Sequence, residues 1–248
     1  MQGVLYVSHG SRIPEATADA IAFINQVKKQ IGIPLQETCF LEISEPDVGQ
    51  GINKLLKKGA TKIAIVPVLL LRAGHYYQDI PEEVERIKVE FPSIQFTYGE
   101  PLGVQTRLTN VLAERVGETN IKVRKGSKIL LVGRGSRSPQ TKKDIEQIAS
   151  NLQMKMNVHV DVCYLAACSP SFEQGLRSSL EEEGYSRVFV LPYLWFTGVL
   201  FQSMESEINN MEKKEKNFIL CRQLSDHPIM VEALKERVLE AIHSNTNL

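Results

Sequence analysis

Apolar and polar positions follow two rhythms along this chain. Short, nearly unbroken apolar runs near residues 4–8, 35–41, 62–70 and 94–98 read as strands; between them, stretches near 14–30, 46–58, 80–91 and 104–116 place apolar residues at helical spacing. Pro14, Pro46 and Pro81 stand where helices begin, a place where the missing N–H of proline costs nothing. The runs AIVPVLLL from Ala64 and VFVLPYLWF from Val188 are apolar without alternation, as strands covered on both faces are. Strand alternating with helix predicts an α/β protein built on parallel sheets.

The pattern is written twice. VLYVSHGSR from Val4 is answered by ILLVGRGSR from Ile129, and a register of 124 to 125 residues pairs Pro46 with Pro170, Gly51 with Gly175, Gly59 with Gly184 and Pro67 with Pro192. An internal duplication therefore predicts two similar lobes, each a four-stranded parallel sheet flanked by helices with the flavodoxin-like order 2-1-3-4. The polar stretch GETNIKVRKGSK, Gly117 to Lys128, lacks helical periodicity and reads as the joint, with lobes at 1–120 and 128–248.

In parallel sheets of this kind ligands bind at the carboxyl ends of the strands. His9 follows the first strand, Glu42 and Glu45 the second, and His75 the third. With that strand order their neighbours lie about 4.8 Å apart, which brings two imidazoles and a carboxylate within reach of one small ion. The second copy serves as an internal control: His9 becomes Arg134, Glu42 becomes Ala166 and His75 becomes Leu200, while the glycines, prolines and apolar positions around them persist. Folding requirements are kept and ligating groups are lost. Two imidazoles with a carboxylate suit iron, cobalt, nickel or zinc about equally, so the pattern names a metal site and not a metal. His159 alternates with valines, His227 precedes a proline and His243 lies in a charged terminal helix; these read as structural or surface residues. Arg12, Arg72, Arg134 and Arg137 each follow a strand and could edge the same cleft.

Composition narrows the choice. Twenty-nine Lys and Arg balance 29 Asp and Glu over 248 residues, so no global basic field points to nucleic acid, and any anion must be held by a local cluster. No apolar run is long enough for a membrane span and the chain enters a strand without a charged leader, which predicts a cytoplasmic protein. Cys39, Cys163, Cys168 and Cys221 contain no C-x-x-C pair, and Cys39 and Cys163 sit at matching places in apolar strands, as reduced core residues do. Neither a G-x-x-x-x-G-K-[ST] phosphate loop nor a G-x-S-x-G elbow occurs. Trp195, Phe196 and Phe201 continue or follow a buried strand and read as core.

VSHGSR, FLEISEPD and AIVPVLLLRAGHYYQDIPEE together resemble the signatures of the sirohydrochlorin chelatases, whose long form is a two-half chain of about this size. The resemblance implies insertion of Fe2+ into sirohydrochlorin, with cobalt insertion or a non-catalytic metal or tetrapyrrole carrier as alternatives. It implies that His9 accepts protons and that His9 and His75 hold the metal, with Glu42 at the acidic position beside it. Glu45 and the segment Leu70, Leu71, Arg72, Ala73 and Gly74 would border the substrate. The N-terminal lobe would then be catalytic and the C-terminal lobe a degenerate copy forming the cleft wall, where Arg134 and Arg137 would meet substrate carboxylates. The metal is expected as substrate and not as a permanent cofactor. A monomer is expected because the two lobes mimic a dimer, with neither nucleic acid nor membrane as partner.

Overall fold

The computed structural model describes residues 1–211, 217–225 and 227–244. Strands β1 (Gln2–Ser8), β2 (Leu35–Phe40), β3 (Lys62–Pro67) and β4 (Gln95–Tyr98) form one parallel sheet in the order β2-β1-β3-β4. Helices α1 (Pro14–Lys28), α2 (Val48–Lys57), α3 (Ile80–Glu90) and α4 (Thr106–Gly117) alternate with them. The pattern recurs as β5 (Ser127–Gly133), α5 (Pro139–Met156), β6 (His159–Tyr164), α6 (Phe172–Glu181), β7 (Arg187–Tyr193), α7 (Val199–Met211), β8 (Asn217–Leu220) and α8 (Pro228–His243), with sheet order β6-β5-β7-β8.

Local chemistry sets the element ends. Pro14 opens α1, while α2 starts two residues later than Pro46 suggests because Asp47 caps it: the Gln50 N–H donates to Asp47 Oδ1 and the Asp47 N–H to Gln50 Oε1. Ser171 and Gln174 repeat this capping box at α6. β3 ends at Pro67, short of the apolar run that predicts it. The run continues because Val68 stays buried and Leu69 packs on the core, although both have left the sheet.

Each sheet has its own core. In the first, Leu5, Val7, Ile63 and Ile65 meet Ile52 and Leu55 of α2 and Val84 of α3; in the second, Leu130, Val132, Val188 and Val190 meet Leu176 of α6 and Ile208 of α7. The central strands are buried on both faces, which explains their unbroken apolar sequences.

By compactness the chain divides at other places than the repeat joint expected near residues 117–128. One compact unit contains residues 1–103 with 228–248, and the other residues 104–227. The sequence repeats exchange their last helices. α8 packs on α1, β1, β3 and β4, where Thr97 Oγ1 donates to the Ala241 carbonyl at 2.7 Å and Arg237 donates to the Leu102 carbonyl at 2.9 Å. α4 packs on α5 and β7, and its buried Arg115 donates to Glu118 at 2.8 Å and to the Leu224 carbonyl at 3.2 Å. Residues 118–126, irregular as their composition predicts, therefore connect two elements of one unit.

Candidate metal centre

The parallel ladder of the first sheet continues beyond the strand ends and builds the site. The Leu41 N–H donates to the Ser8 carbonyl at 2.9 Å and the Glu42 N–H to the His9 carbonyl at 3.1 Å, which sets Glu42 beside His9. The contact requires a glycine next: Gly10 has φ +90°, and a Cβ there would stand 1.9 Å from the Glu42 carbonyl oxygen. Ile43 has φ 67° with its side chain exposed, a left-handed conformation that costs a β-branched residue about 1–3 kcal/mol. On the other side of β1, the chain leaves β3 and reaches a π-helical turn, His75–Asp79, where the Tyr76 and Tyr77 N–H groups both donate to the Ala73 carbonyl. Tyr76 stacks on Tyr98 at the end of β4, whose hydroxyl donates to the Tyr76 carbonyl at 2.8 Å. Burial, and then the nearby Glu100 carboxylate, push the Tyr76 phenol up to about 12, so it is neutral at ordinary pH.

His9 and His75 meet edge to face, with centroids 4.6 Å apart, an interplanar angle of 86° and the two Nε2 atoms separated by 3.1 Å. Glu42 Oε1 lies 3.8 Å from His75 Nε2, and His75 Nδ1 faces Asp79 Oδ2 at 2.5 Å. Among the described residues, His9, Glu42 and His75 are the group of three whose ligand atoms all fall within 4.8 Å of one another. Metal–imidazole bonds of about 2.0–2.1 Å place two nitrogens about 3.0 Å apart at a right angle and about 3.4 Å apart at a tetrahedral one. The observed 3.1 Å spans that range, so the pair can occupy two neighbouring positions on one ion with little movement. Both imidazoles are half-buried and Glu42 is exposed, which leaves the outer face of such an ion open.

A cavity of about 350 Å³ adjoins His75 and is lined by the carboxylates of Glu42, Asp47, Asp79, Glu82 and Glu83, with no lysine or arginine among its walls. A field of that sign concentrates cations and repels carboxylates. Of these acids only Glu42 is a candidate from sequence. Asp79 could have been found from its four-residue spacing to His75, and Glu82 and Glu83 from the first turn of α3. A larger cavity of about 770 Å³ in the second unit, lined among others by Asp161, Gln174 and Glu182, contains no imidazole.

The other sequence candidates fall as follows. Glu45 is exposed beside the same loop, Leu70, Leu71 and Ala73 are half-buried, and Gly74 is exposed with open space where a Cβ would stand. Arg72 is paired with Glu100 at 2.7 Å. Arg134 and Arg137 are exposed on the loop after β5, and Arg12 is exposed on the loop after β1. His159 faces Asp161 at 3.0 Å, His227 faces Glu114 at 2.9 Å and His243 faces the Leu239 carbonyl at 2.7 Å, each outside the three-ligand group. All four cysteines are free thiols; burial pushes those of Cys39 and Cys163 well up, leaving them neutral core groups. Trp195 is buried, Phe201 packs against the second core and Phe196 is half-buried. Among the described residues no helix is long and apolar enough to cross a membrane.

Comparison with known proteins gives the family. The sequence pattern of the CbiX family matches residues 3–119 and again residues 128–241. A sirohydrochlorin ferrochelatase of Priestia megaterium is 42% identical over 248 residues, covering 100% of this chain and 93% of that protein. A sirohydrochlorin cobaltochelatase of the same organism is 32% identical, covering 100% of this chain and 82% of the other. The crystal structure of SirB from Bacillus subtilis with Fe3+ superposes with a TM-score of 0.88 at 36% identity, covering 98% of this chain and 96% of that one. The family pattern follows the sequence repeats rather than the compact units. With both halves matched and a relative similar from end to end, the chain belongs to the CbiX family.

Proposed function

We propose that this chain is a sirohydrochlorin ferrochelatase, an enzyme that inserts Fe2+ into sirohydrochlorin to give siroheme and two protons. The observation that carries the reading is the convergence of His9, Glu42 and His75 on one point at the carboxyl edge of the first sheet. Two pyrrole N–H bonds must break as bonds from nitrogen to iron form, so a base and exchangeable ligands have to stand on one face. His9 and His75 supply both functions, since neutral imidazole serves as ligand or proton acceptor near neutral pH. Glu42 completes a ligand set that leaves positions open for water and for an incoming pyrrole nitrogen. Metal approaches through the acidic cavity, which suits a cation and opposes a polycarboxylate macrocycle.

In this reading the macrocycle is bordered by Glu45 and the segment from Leu70 to Gly74, and its carboxylates engage Arg134 and Arg137. The first sheet supplies the chemistry and the second supplies binding. The metal is a substrate and not a resident cofactor, and the enzyme works as a cytoplasmic monomer. Cobalt insertion is the second reading, because the same ligands suit Co2+ and a cobaltochelatase is among the full-length relatives. Anaerobic absorbance of sirohydrochlorin with Fe2+ or Co2+ at substoichiometric protein is the test. Many turnovers, faster with iron, are expected; metallation that stops at one equivalent would identify a carrier, and preference for cobalt the second reading.

A further inference from the structure

The residue that decides how the metal site works is one that supplies no ligand atom. We propose that Asp79 is a positioning residue: by accepting the Nδ1 proton of His75 it fixes the tautomer in which His75 Nε2 carries the lone pair that faces the metal. The inference rests on the reading of His9, Glu42 and His75 as the metal site.

The geometry supplies three reasons. An ionised carboxylate can only accept, so the 2.5 Å contact between Asp79 Oδ2 and His75 Nδ1 puts a proton on Nδ1 and, in a neutral ring, leaves Nε2 bare. Nε2 is the atom that faces His9 at 3.1 Å and Glu42 at 3.8 Å. Without the carboxylate, Nε2 could carry the proton, and a donor would then point at the place where a cation must sit. The second reason is local. Asp79 stands directly before α3 but makes no side-chain capping bond to it, so its usual structural use at a helix start is not taken up here. The turn that carries it is π-helical, with the Ile80 N–H donating to the His75 carbonyl, and one such turn brings residues 75 and 79 together. The third is the repeat. Where the first unit has His75 and Asp79, the second has Leu200 and Met204, so imidazole and carboxylate are lost together. The carboxylate is thus present in the copy that has the imidazole it faces and missing from the copy that lacks it.

Carboxylates that orient a ligating histidine typically change metal affinity by about 10- to 100-fold when removed. The test uses the full chain and Co2+ alone, read by its visible spectrum, with 15N-histidine NMR reporting the His75 tautomer before metal is added. Wild type should show His75 protonated at Nδ1. Asp79→Ala should move the proton toward Nε2 and weaken Co2+ binding by about tenfold or more, and Asp79→Glu should restore most of both. If Asp79→Ala does not fold, Asp79→Leu, similar in size and without an acceptor, provides the same two readouts. Unchanged tautomer and affinity in the Asp79 variant, while His75→Ala still weakens Co2+ binding, would overturn the positioning role alone. If His75→Ala binds Co2+ as wild type does, the metal site itself is wrong and the positioning role falls with it.

Discussion

At the carboxyl edges of β1 and β5 the two units hold the same backbone and different side chains. The Glu42 N–H donates to the His9 carbonyl at 3.1 Å, and the Ala166 N–H donates to the Arg134 carbonyl at 2.9 Å. Gly10 and Gly135 both have positive φ and both approach the opposite carbonyl so closely that a Cβ would lie within 1.9 and 1.8 Å of it. Even the left-handed residue recurs, as Ile43 with φ 67° and Ala167 with φ 57°. Backbone of this shape is thus compatible with a metal site but does not make one. The difference lies in three side chains and in the turn after the third strand, which is π-helical before α3, with no π-helical turn among the described residues before α7. The second unit thus keeps the left-handed loop residue and the close glycine contact without the imidazoles and the carboxylate.

The comparison is broken most directly by removing the imidazoles. His9→Ala and His75→Ala should each lower the chelation rate by at least about a hundredfold, the usual scale for losing an acid–base or ligand group, while far-UV circular dichroism stays unchanged. His159→Ala, at the opposite end of β6, and His243→Ala, in the last turn of α8, should stay within about twofold on the same scale. Near-normal turnover in both of the first two variants would remove the site from the first sheet.

The arginines sharpen what the second unit contributes. Arg134 stands where the first unit has His9, and a planar, permanently charged fork suits carboxylates as an imidazole suits a metal. Arg134→Ala with Arg137→Ala should raise the apparent Michaelis constant for sirohydrochlorin by about tenfold, equivalent to roughly 1.4 kcal/mol. Turnover at saturation should change little, because uniform binding does not lower the chemical barrier. Both side chains are exposed, so added salt should act like the double substitution, only more weakly, and should act less on the double variant. Superimposable saturation curves would leave the second loop with a folding role only.

A smaller effect is expected where the two units agree. Asp47 caps α2 and Ser171 caps α6 through the same reciprocal pair of bonds to a glutamine three residues on. Asp47→Ala and Ser171→Ala should each destabilise by about 1 kcal/mol in urea unfolding. Asp47 should lose slightly more, because its charge also faces the helix N-terminus. A cost confined to one unit would show that the boxes are conserved in geometry and not in energy.

The alternation of apolar runs and helical spacing made the parallel sheets and the repeat legible, because these are properties of every residue in an element, whereas the strand order comes from the flavodoxin-like pattern and agrees with the structure. His9, Glu42 and His75 were legible for another reason: the second copy showed which residues folding does not need. Two things were not. The exchange of α4 and α8 leaves no periodic signal, since a helix with one apolar face reads the same whichever sheet it covers. Asp79 stands four residues after His75, a spacing that could have pointed to it, but a lone aspartate belongs to no wider pattern, and the folded turn is what sets it facing His75.

The smallest effect expected is none, and it tests whether strand-end residues alone define the site. Arg134→His, Ala166→Glu and Leu200→His together would write the ligands of the first unit onto the matching positions of the second. The backbone after β5 and β6 is ready for the first two, since the hydrogen bond from residue 166 to residue 134 is already made. The third position differs: Leu200 packs against the second core, whereas His75 points to His9, and Met204 beneath it is fully buried where Asp79 is half-exposed. A histidine at 200 would have to leave an apolar environment and would find no carboxylate to orient it. Co2+ bound per chain, measured by equilibrium dialysis, should therefore remain at one in the triple variant. A second equivalent of comparable affinity would show that three strand-end side chains suffice and that the turn His75–Asp79 adds nothing. If a second equivalent appears only when Met204→Asp is added, the turn and its carboxylate are the part of the site that the duplication lost.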